Sequence, residues 1–143
     1  MRLDDLIVRK ADVVIVGGGG AGLRAAIEAR TCGSSVIIAS KSRVGFASNT
    51  SISGSGMAAC TGLASLEDTP DAHFSDTLLS GENINDRRLV QVVAQNSQHQ
   101  LQDLIAYGVE FQRKDGQLQA LQFPGHSHPR IYIVMQKLGR GMS

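Results

Sequence analysis

The feature that most constrains the fold is a glycine-rich turn between two segments of contrasting pattern. Residues 12–16 read DVVIV, a β-branched apolar run typical of a strand buried on both faces. The turn GGGGAG follows, and then LRAAIEART, in which Leu23, Ala26, Ile27 and Arg30 recur at helical spacing before Gly33. A second apolar run, SSVIIAS at 34–40, predicts another strand. Strand, turn, helix and strand within about thirty residues predict a βαβ unit of α/β, Rossmann-like type.

The glycines of the turn have the spacing G-x-G-x-x-G, formed by Gly17, Gly19 and Gly22. The first glycine permits a tight turn, the second lets the backbone approach a pyrophosphate, and the third lets the helix pack on the strand. Gly20 and Ala21 complete the turn. Because free N–H groups and the positive end of the helix dipole point at the same place, the motif predicts a dinucleotide-binding site.

The residues after the second strand leave two dinucleotides open. Recognition of an adenine ribose usually places an acidic residue there, whereas this chain has Ser40, Lys41, Ser42 and Arg43. A serine beside two cations suits the 2′-phosphate of NADP, so an NADP-dependent dehydrogenase is one alternative.

The stretch SNTSISGSGMAA, residues 48–59, favours FAD. It is almost free of bulky and charged side chains, and it predicts a bare strip of backbone along an extended ligand. Gly54 and Gly56 allow close approach, and short polar groups come from Ser48, Asn49, Thr50 and Ser53.

The rest of the chain predicts two helices and a hairpin. Thr69 caps a helix that begins at Pro70 and ends at Gly81, and Asp86 caps a longer one that ends at Gly108. The face shared by Leu89, Val92, Val93 and Asn96, continued by Leu101, Leu104 and Ile105, is its predicted apolar face. Asp115-Gly116 predicts a hairpin turn, and a loop and a short apolar strand follow. Only two strands suit the centre of a doubly wound sheet, which needs about five, so we expect that sheet to be incomplete and residues 1–143 to begin a larger protein.

Four stretches in this order resemble the N-terminal FAD-binding part of the succinate dehydrogenase/fumarate reductase flavoprotein family, which includes L-aspartate oxidase and adenylylsulfate reductase. They are DVVIVGGGGAGLRAAIEA, ASKSRVGFASNTSISGSGMAA, DTLLSGENINDRRLVQVVAQNSQHQLQDLIAYGVEFQR and GHSHPR. In that family a Ser/Thr-Lys pair at the end of the second strand is common, so Ser40-Lys41 then favours FAD. Where the family often has Gln-Gly-Gly, this chain has Gly54-Ser55-Gly56.

The resemblance implies an FAD-dependent oxidoreductase that moves a hydride between the flavin and a dicarboxylate-like substrate. The partners it implies are FAD and an iron-sulfur electron-transfer subunit. It also implies a capping domain that carries the substrate-binding arginines and histidines outside these 143 residues, so we assign no catalytic residue. Respiratory members attach FAD through a histidine between the serine and threonine that correspond to Ser48 and Thr50, and Asn49 in its place implies non-covalent FAD. A further alternative is a flavin-binding module without turnover.

Composition excludes other classes. A net charge of +1 gives no reason to expect nucleic acid, and no apolar run approaches the ~18 residues that span a bilayer. Asp4 and Asp5 stand where a signal peptide would be basic, and Cys32 and Cys60 match no metal or redox spacing, so we expect a cytoplasmic protein.

The remaining titratable residues suggest no further site. His126 and His128 lack a third metal ligand at suitable spacing, and their loop, which resembles the loop before the family's capping domain, is expected to form a turn near the flavin. His73 and His99 are expected on solvated helix faces, and Asp71 and Asp76 share no face for paired-carboxylate chemistry.

Overall fold

The computed structural model describes residues 7–46, 48–53 and 56–135, and the chain divides into two compact units, unit 1 within residues 1–54 and unit 2 within residues 55–143. Unit 1 contains strand β1 (Val13–Val16), helix α1 (Gly20–Thr31), strand β2 (Val36–Ala39) and the short helix α2 (Asn49–Ile52). The first three elements are the predicted βαβ unit.

Strands β1 and β2 pair in parallel, with Val13 opposite Val36 and Val16 opposite Ala39. The residues directly before the two strands are also joined, because the Asp12 carboxylate accepts hydrogen bonds from the Ser35 hydroxyl (2.6 Å) and backbone N–H (2.7 Å). Both bonds lower the pKa of Asp12, and the one from the Ser35 hydroxyl has the larger effect. The pairing places the carboxyl ends of both strands at one edge, where the glycine turn begins.

The prediction that the first strand is buried on both faces is wrong for the described chain. Ile15 lies on the face covered by α1, whereas Val14 and Val16, on the opposite face, are 61% and 88% exposed. A β-branched run indicates a propensity for strand, but it does not show whether other elements cover one face of the strand or both.

Unit 2 begins with strand β3 (Gly56–Ala58) and the helices α3 (Pro70–Ser80) and α4 (Arg87–Ala106). Both predicted caps are present. The Thr69 hydroxyl accepts from the Ala72 N–H (3.2 Å), and the Asp86 carboxylate accepts from the first turn of α4. The two helices therefore begin where the capping residues place them.

The predicted apolar face of α4 is wrong over its first half. Leu89, Val92 and Val93 are exposed, and the buried residues of the helix are Val90, Ala94, Ser97 and Leu101. The buried face combines small and polar residues with only two larger apolar ones. Ser97 is held there because its hydroxyl lies against Cys60, accepting from that residue's N–H at 3.3 Å.

The remaining strands of unit 2 form two antiparallel sheets. In one, β7 (Ile131–Ile133) lies between β3 and β6 (Ala120–Leu121), and the other is the predicted hairpin of β4 (Arg113–Lys114) and β5 (Gln117–Leu118). Asp115 and Gly116 have φ values of 51° and 80°, as a two-residue turn with both central residues left-handed requires. At the centre of this unit, the buried residues Ala59, Leu101, Phe111 and Tyr132 form a hydrophobic cluster.

The three-stranded sheet corrects the prediction for residues 48–59. The stretch is not one extended strip, because residues 49–52 form α2 and residues 56–58 form β3. At Gly56 a Cβ would lie 3.2 Å from Ile131 and 3.3 Å from Ile133, so this glycine serves the close pairing of β3 with β7.

A buried ion-pair cluster of unit 2 joins three distant parts of the sequence. Arg130, whose side chain is 0% exposed, donates from Nε to Asp68 Oδ1 (3.0 Å) and from a terminal nitrogen to Asp76 Oδ2 (2.7 Å). The other terminal nitrogen lies 2.8 Å from Asp68 Oδ1. The same Asp76 oxygen accepts from the Ser127 N–H (2.7 Å) and hydroxyl (2.8 Å). The guanidinium thus connects the segment before α3, helix α3 itself and the segment before β7.

His73 lies beside this cluster, and its predicted solvated position is wrong. It is 3% exposed, and its ring centroid lies 6.2 Å from that of His126. His99 is exposed, as predicted, and lies 3.5 Å from Asp103. Burial of a histidine on α3 depends on packing against residues more than fifty positions away, which no local pattern records.

Among the helices within residues 7–135 that the structure describes, none has the length and apolarity needed to cross a membrane. In the same part of the chain, no three of the histidine, cysteine and acidic side chains come together as metal ligands would.

Candidate functional site

The turn between β1 and α1 forms one wall of the candidate site. Gly17 has a φ of 111°, a conformation that a residue with a Cβ rarely adopts, and its N–H donates to Ala39 O (2.8 Å). At Gly22 an added Cβ would lie 2.0 Å from the Gly17 carbonyl oxygen. The first and third glycines therefore have the geometric roles that the spacing predicts.

The first turn of α1 has no acidic side chain, and one of its backbone N–H groups, that of Gly20, donates to Thr50 Oγ1. Gly19 is the N-cap of α1, and as a glycine it has no side chain to cap the helix. The helix dipole and the amides of this turn therefore favour an anion at this end.

Helix α2 packs directly on this turn and supplies hydroxyl groups. The Gly20 N–H donates to Thr50 Oγ1 (3.1 Å), and a Cβ added at Gly19 would lie 3.4 Å from Ser48 Cβ. Ser48 and Ser51 form a reciprocal capping box that fixes the start of α2. The polar residues that the sequence singled out at 48 and 50 thus lie beside the glycines at 19 and 20.

Asn49 occupies the first position of α2 and is exposed. Its side chain is an amide with both donor and acceptor capacity. Asn49 lies between Ser48 and Thr50, the two residues that contact the glycine turn, and is therefore in the same part of unit 1.

The loop after β2 forms the other wall and contacts a glycine that the motif did not single out. The Gly45 N–H donates to Gly18 O (2.9 Å), and a Cβ at Gly18 would lie 3.1 Å from both Ser40 Oγ and Val44 Cα. Gly18 is one of the variable positions of G-x-G-x-x-G, so the motif gives no reason to select it. Four consecutive glycines at 17–20 were the signal that could have identified it.

The two cations of that loop are exposed, and they differ in surroundings. The Arg43 guanidinium stacks on the Phe46 ring, 4.4 Å from its centroid. Lys41 directly follows Ser40 at the end of β2 and is exposed. A phosphate or ribose group near Gly18 would therefore meet Ser40 at short range and the two cations at the rim.

The structure brings most of the predicted site residues together in unit 1. The glycine turn, the end of β2 and α2 provide Gly17, Gly19, Gly20, Ala21, Gly22, Ser40, Lys41, Ser48, Asn49, Thr50 and Ser53. Gly54 lies outside the described residues. Gly56 belongs to β3 of unit 2, where its contacts are those of sheet pairing.

These features define an α/β dinucleotide-binding unit with a glycine turn. The chain belongs to the family described as FAD binding domain, which matches residues 12–142. The NADP alternative is therefore set aside, and the cofactor of this family is FAD.

Three relatives illustrate the family. The chain is 38% identical over 134 residues to a subunit of the fumarate reductase (CoM/CoB) of Methanothermobacter marburgensis, covering 93% of this chain and 24% of that protein. It is 33% identical to the chloroplastic L-aspartate oxidase of Oryza sativa, covering 96% of this chain and 21% of the relative. The Mycobacterium smegmatis Sdh1 complex in the apo form superposes with a TM-score of 0.81 at 38% identity, over 87% of this chain and 21% of the matched chain. The chain thus spans about a quarter or less of the length of these relatives, and the predicted family is confirmed.

The geometry of unit 1 fits a pyrophosphate. The turn presents backbone amides where a side chain would interfere, α1 directs its positive end to the same place, and Thr50 and Ser48 add hydroxyl groups. FAD, when bound, would supply hydride acceptance and donation, and the residues of unit 1 that would hold it are those of the glycine turn, the end of β2 and α2.

Proposed function

We propose that this chain is the FAD-binding N-terminal portion of a flavin-dependent oxidoreductase that transfers a hydride between the flavin and a dicarboxylate-like substrate. The observation that carries the proposal is the packing of Ser48 and Thr50 on the start of α1, beside Gly19 and Gly20. The names of the relatives, fumarate reductase and L-aspartate oxidase, support the substrate class.

The proposal for the whole protein extends beyond residues 1–143. It includes a capping domain that holds the substrate, an iron-sulfur subunit that exchanges electrons with the flavin, and a cytoplasmic location. The proposed role of this portion is to bind the cofactor, and no residue of it is proposed as catalytic.

Replacement of Gly19 by valine is expected to abolish FAD binding. A Cβ at this position points at Ser48 Cβ, 3.4 Å away, rather than into open space, so the two extra methyl groups of valine would push α2 off the turn. The disturbed α2 contains Thr50, whose hydroxyl holds the Gly20 N–H. Titration of the purified chain with FAD, followed by quenching of flavin fluorescence, should show binding by the parent and at least a hundredfold weaker binding by Gly19→Val.

Ala25→Val is the matched control, because Ala25 is exposed on the same helix. It introduces the same side chain away from the turn and should keep the affinity of the parent. Tight FAD binding by a folded Gly19→Val protein would contradict the role given to the turn, and failure of the parent to bind FAD would contradict the proposed function itself.

FAD is expected to be held non-covalently. The nitrogen of the Asn49 amide has its lone pair delocalised into the carbonyl, so it is a poor nucleophile toward the flavin methyl group, whereas its hydrogen-bonding groups suit reversible contact. Acid denaturation followed by filtration should release all the yellow colour. Flavin fluorescence that stays with the polypeptide band on a denaturing gel, in the position of a covalent flavoprotein standard, would disprove this expectation.

A further inference from the structure

The loop of residues 123–130 lies along α3 and is fastened to it by few groups. Asp76 accepts two hydrogen bonds from Ser127 and one from Arg130, all through Oδ2, and Ser80 Oγ donates to the Gly125 carbonyl (3.1 Å). Asp76 is therefore the main attachment of this loop to the helix.

Two histidines lie at this attachment, one on each side of it. His73, one turn before Asp76 on α3, is buried, and His126 on the loop has Nδ1 3.5 Å from a terminal nitrogen of Arg130. Arg130 can donate to that ring nitrogen only while the nitrogen carries no proton. Addition of a proton would turn the contact into one between two donors of like charge.

The surroundings of the two rings oppose their positive forms. Burial, and next the charge of Arg130, lower the pKa of His73, and His126 contributes in the same direction. Burial and then Arg130 also lower the pKa of His126. Asp68, on the segment before α3, and Asp76, on α3, act the other way on both rings but do not outweigh these two causes.

We propose that residues 123–129 of this loop are an acid-released clamp, in which protonation of His73 and His126 frees them from α3 while Arg130 keeps its ion pair with Asp68 and the rest of unit 2 stays folded. The driving force is that a detached loop exposes both rings to water, where a positive imidazole is solvated, whereas the attached loop holds them beside the buried Arg130 guanidinium. This inference is independent of FAD binding.

The direction of the pH dependence follows from the lowered values. In the attached state both rings bind protons less readily than in the detached state, where the pKa is near the ordinary 6.5. Attachment is therefore fully favourable above about pH 6.5 and weakens as the pH falls below it. Each ring can increase the detachment equilibrium by up to about tenfold per pH unit, until its pKa in the attached state is reached.

Amide hydrogen exchange of the full chain, measured by NMR between pH 7.5 and 5.5, tests the clamp. The probe is the Ser127 N–H, which donates to Asp76, and the reference is the amide of Leu101 in the core helix α4. The protection factor of Ser127 should fall by about tenfold or more over this range, while that of Leu101 stays constant. Simultaneous loss of protection at both amides would mean unfolding of unit 2 and would overturn the proposal.

The variant His126→Gln should lose part of the pH dependence of the Ser127 protection factor. Residue 126 is half-buried and tolerates a neutral polar group. His73→Gln, which changes the histidine on α3, should also lose part of this pH dependence. His99→Gln is the matched control, because His99 is an exposed histidine of the same unit, and it should follow the parent. A parent-like profile in both His126→Gln and His73→Gln would show that these rings do not control the loop.

Discussion

Replacement of Gly22 by alanine should remove FAD binding and destabilise unit 1 more than any other single-methyl change in its glycine turn. The new Cβ would lie 2.0 Å from the Gly17 carbonyl oxygen and 3.1 Å from the Gly17 carbonyl carbon. Both are backbone atoms of the strand-to-helix turn, so no side chain can rotate away to make room. Helix α1 would have to move off β1, at a cost of about 3 kcal/mol or more.

The neighbouring glycines provide a graded series, in which an added Cβ meets backbone at Gly22, side chain and backbone at Gly18, and only side-chain atoms at Gly19. At Gly18 the added Cβ would lie 3.1 Å from Ser40 Oγ and Val44 Cα, and at Gly19 it would lie 3.4 Å from Ser48 Cβ. Gly19→Ala should therefore be tolerated, Gly18→Ala should be moderately destabilising, and Gly22→Ala should be severe.

Two measurements check this order. The FAD dissociation constant should rise at least a hundredfold for Gly22→Ala and stay within a few-fold of the parent for Gly19→Ala. Hydrogen exchange of the Leu23 amide, which donates to Gly19 O (2.9 Å), should report the loss of the first turn of α1. Equal effects at positions 19 and 22 would show that the turn adapts and that the static contacts do not decide the outcome.

The parts of the fold that the sequence predicted correctly are those fixed by neighbours in the chain. Thr69 caps α3, Asp86 caps α4, and Asp115-Gly116 makes the hairpin turn, each through atoms within a few residues. The glycine turn belongs to the same group, because the strand, the turn and the helix that define it are contiguous.

The parts that could not be predicted depend on residues far apart in the chain. Arg130 pairs with Asp68 across 62 positions and with Asp76 across 54, and His73 is buried beside this cluster and against the ring of His126. Periodicity also failed at α4, because the helix buries Ser97 against Cys60 while Val92 and Val93 stay exposed. A pattern of apolar residues identifies a face, but the partners that cover a face come from tertiary structure.

In the candidate site, the motif located the glycine turn but not all of its contacts. A glycine at position 18 suits the loop that follows β2, because a Cβ there would lie 3.1 Å from Ser40 Oγ and Val44 Cα. The contact between Thr50 and Gly20 joins residues thirty positions apart, and the sequence could only suggest a polar group near the ligand.

Replacement of Arg130 by alanine should destabilise unit 2 by about 3–5 kcal/mol, because it leaves buried carboxylates without their cation. Asp68 is almost completely buried, and Arg130 is its ion-pair partner at 2.8 Å. The variant also loses one of the three donors to Asp76 Oδ2. Arg130→Lys should fall between parent and alanine, because an ammonium group keeps the charge but cannot reach both carboxylates with the fork of a guanidinium.

Urea denaturation followed by tyrosine fluorescence measures this effect in unit 2 alone, because the two tyrosines of the chain, Tyr107 and Tyr132, both lie there. Arg113→Ala is the matched control. Arg113 is exposed in the hairpin and donates to Gly116 O, so its loss should cost within about 0.5 kcal/mol. Equal destabilisation by the two variants would show that the buried cluster contributes no more than a surface contact.

The same urea denaturation, repeated at lower pH, separates the contribution of the Arg130 charge from that of its packing. Burial acts to raise the pKa of Asp76, but the hydrogen bonds from Ser127 and the contacts with Arg130 outweigh it, so the pKa lies below 3.8. The stability that this carboxylate contributes is therefore present above about pH 3.8 and is lost as the pH falls through the lowered value. Arg130 is one of the groups that lower the pKa of Asp76, so its removal raises that pKa, and the deficit of the variant relative to the parent should shrink as the pH falls from 7 to 4. A deficit that stays constant over this range would mean that Arg130 acts through the volume it fills and not through its charge.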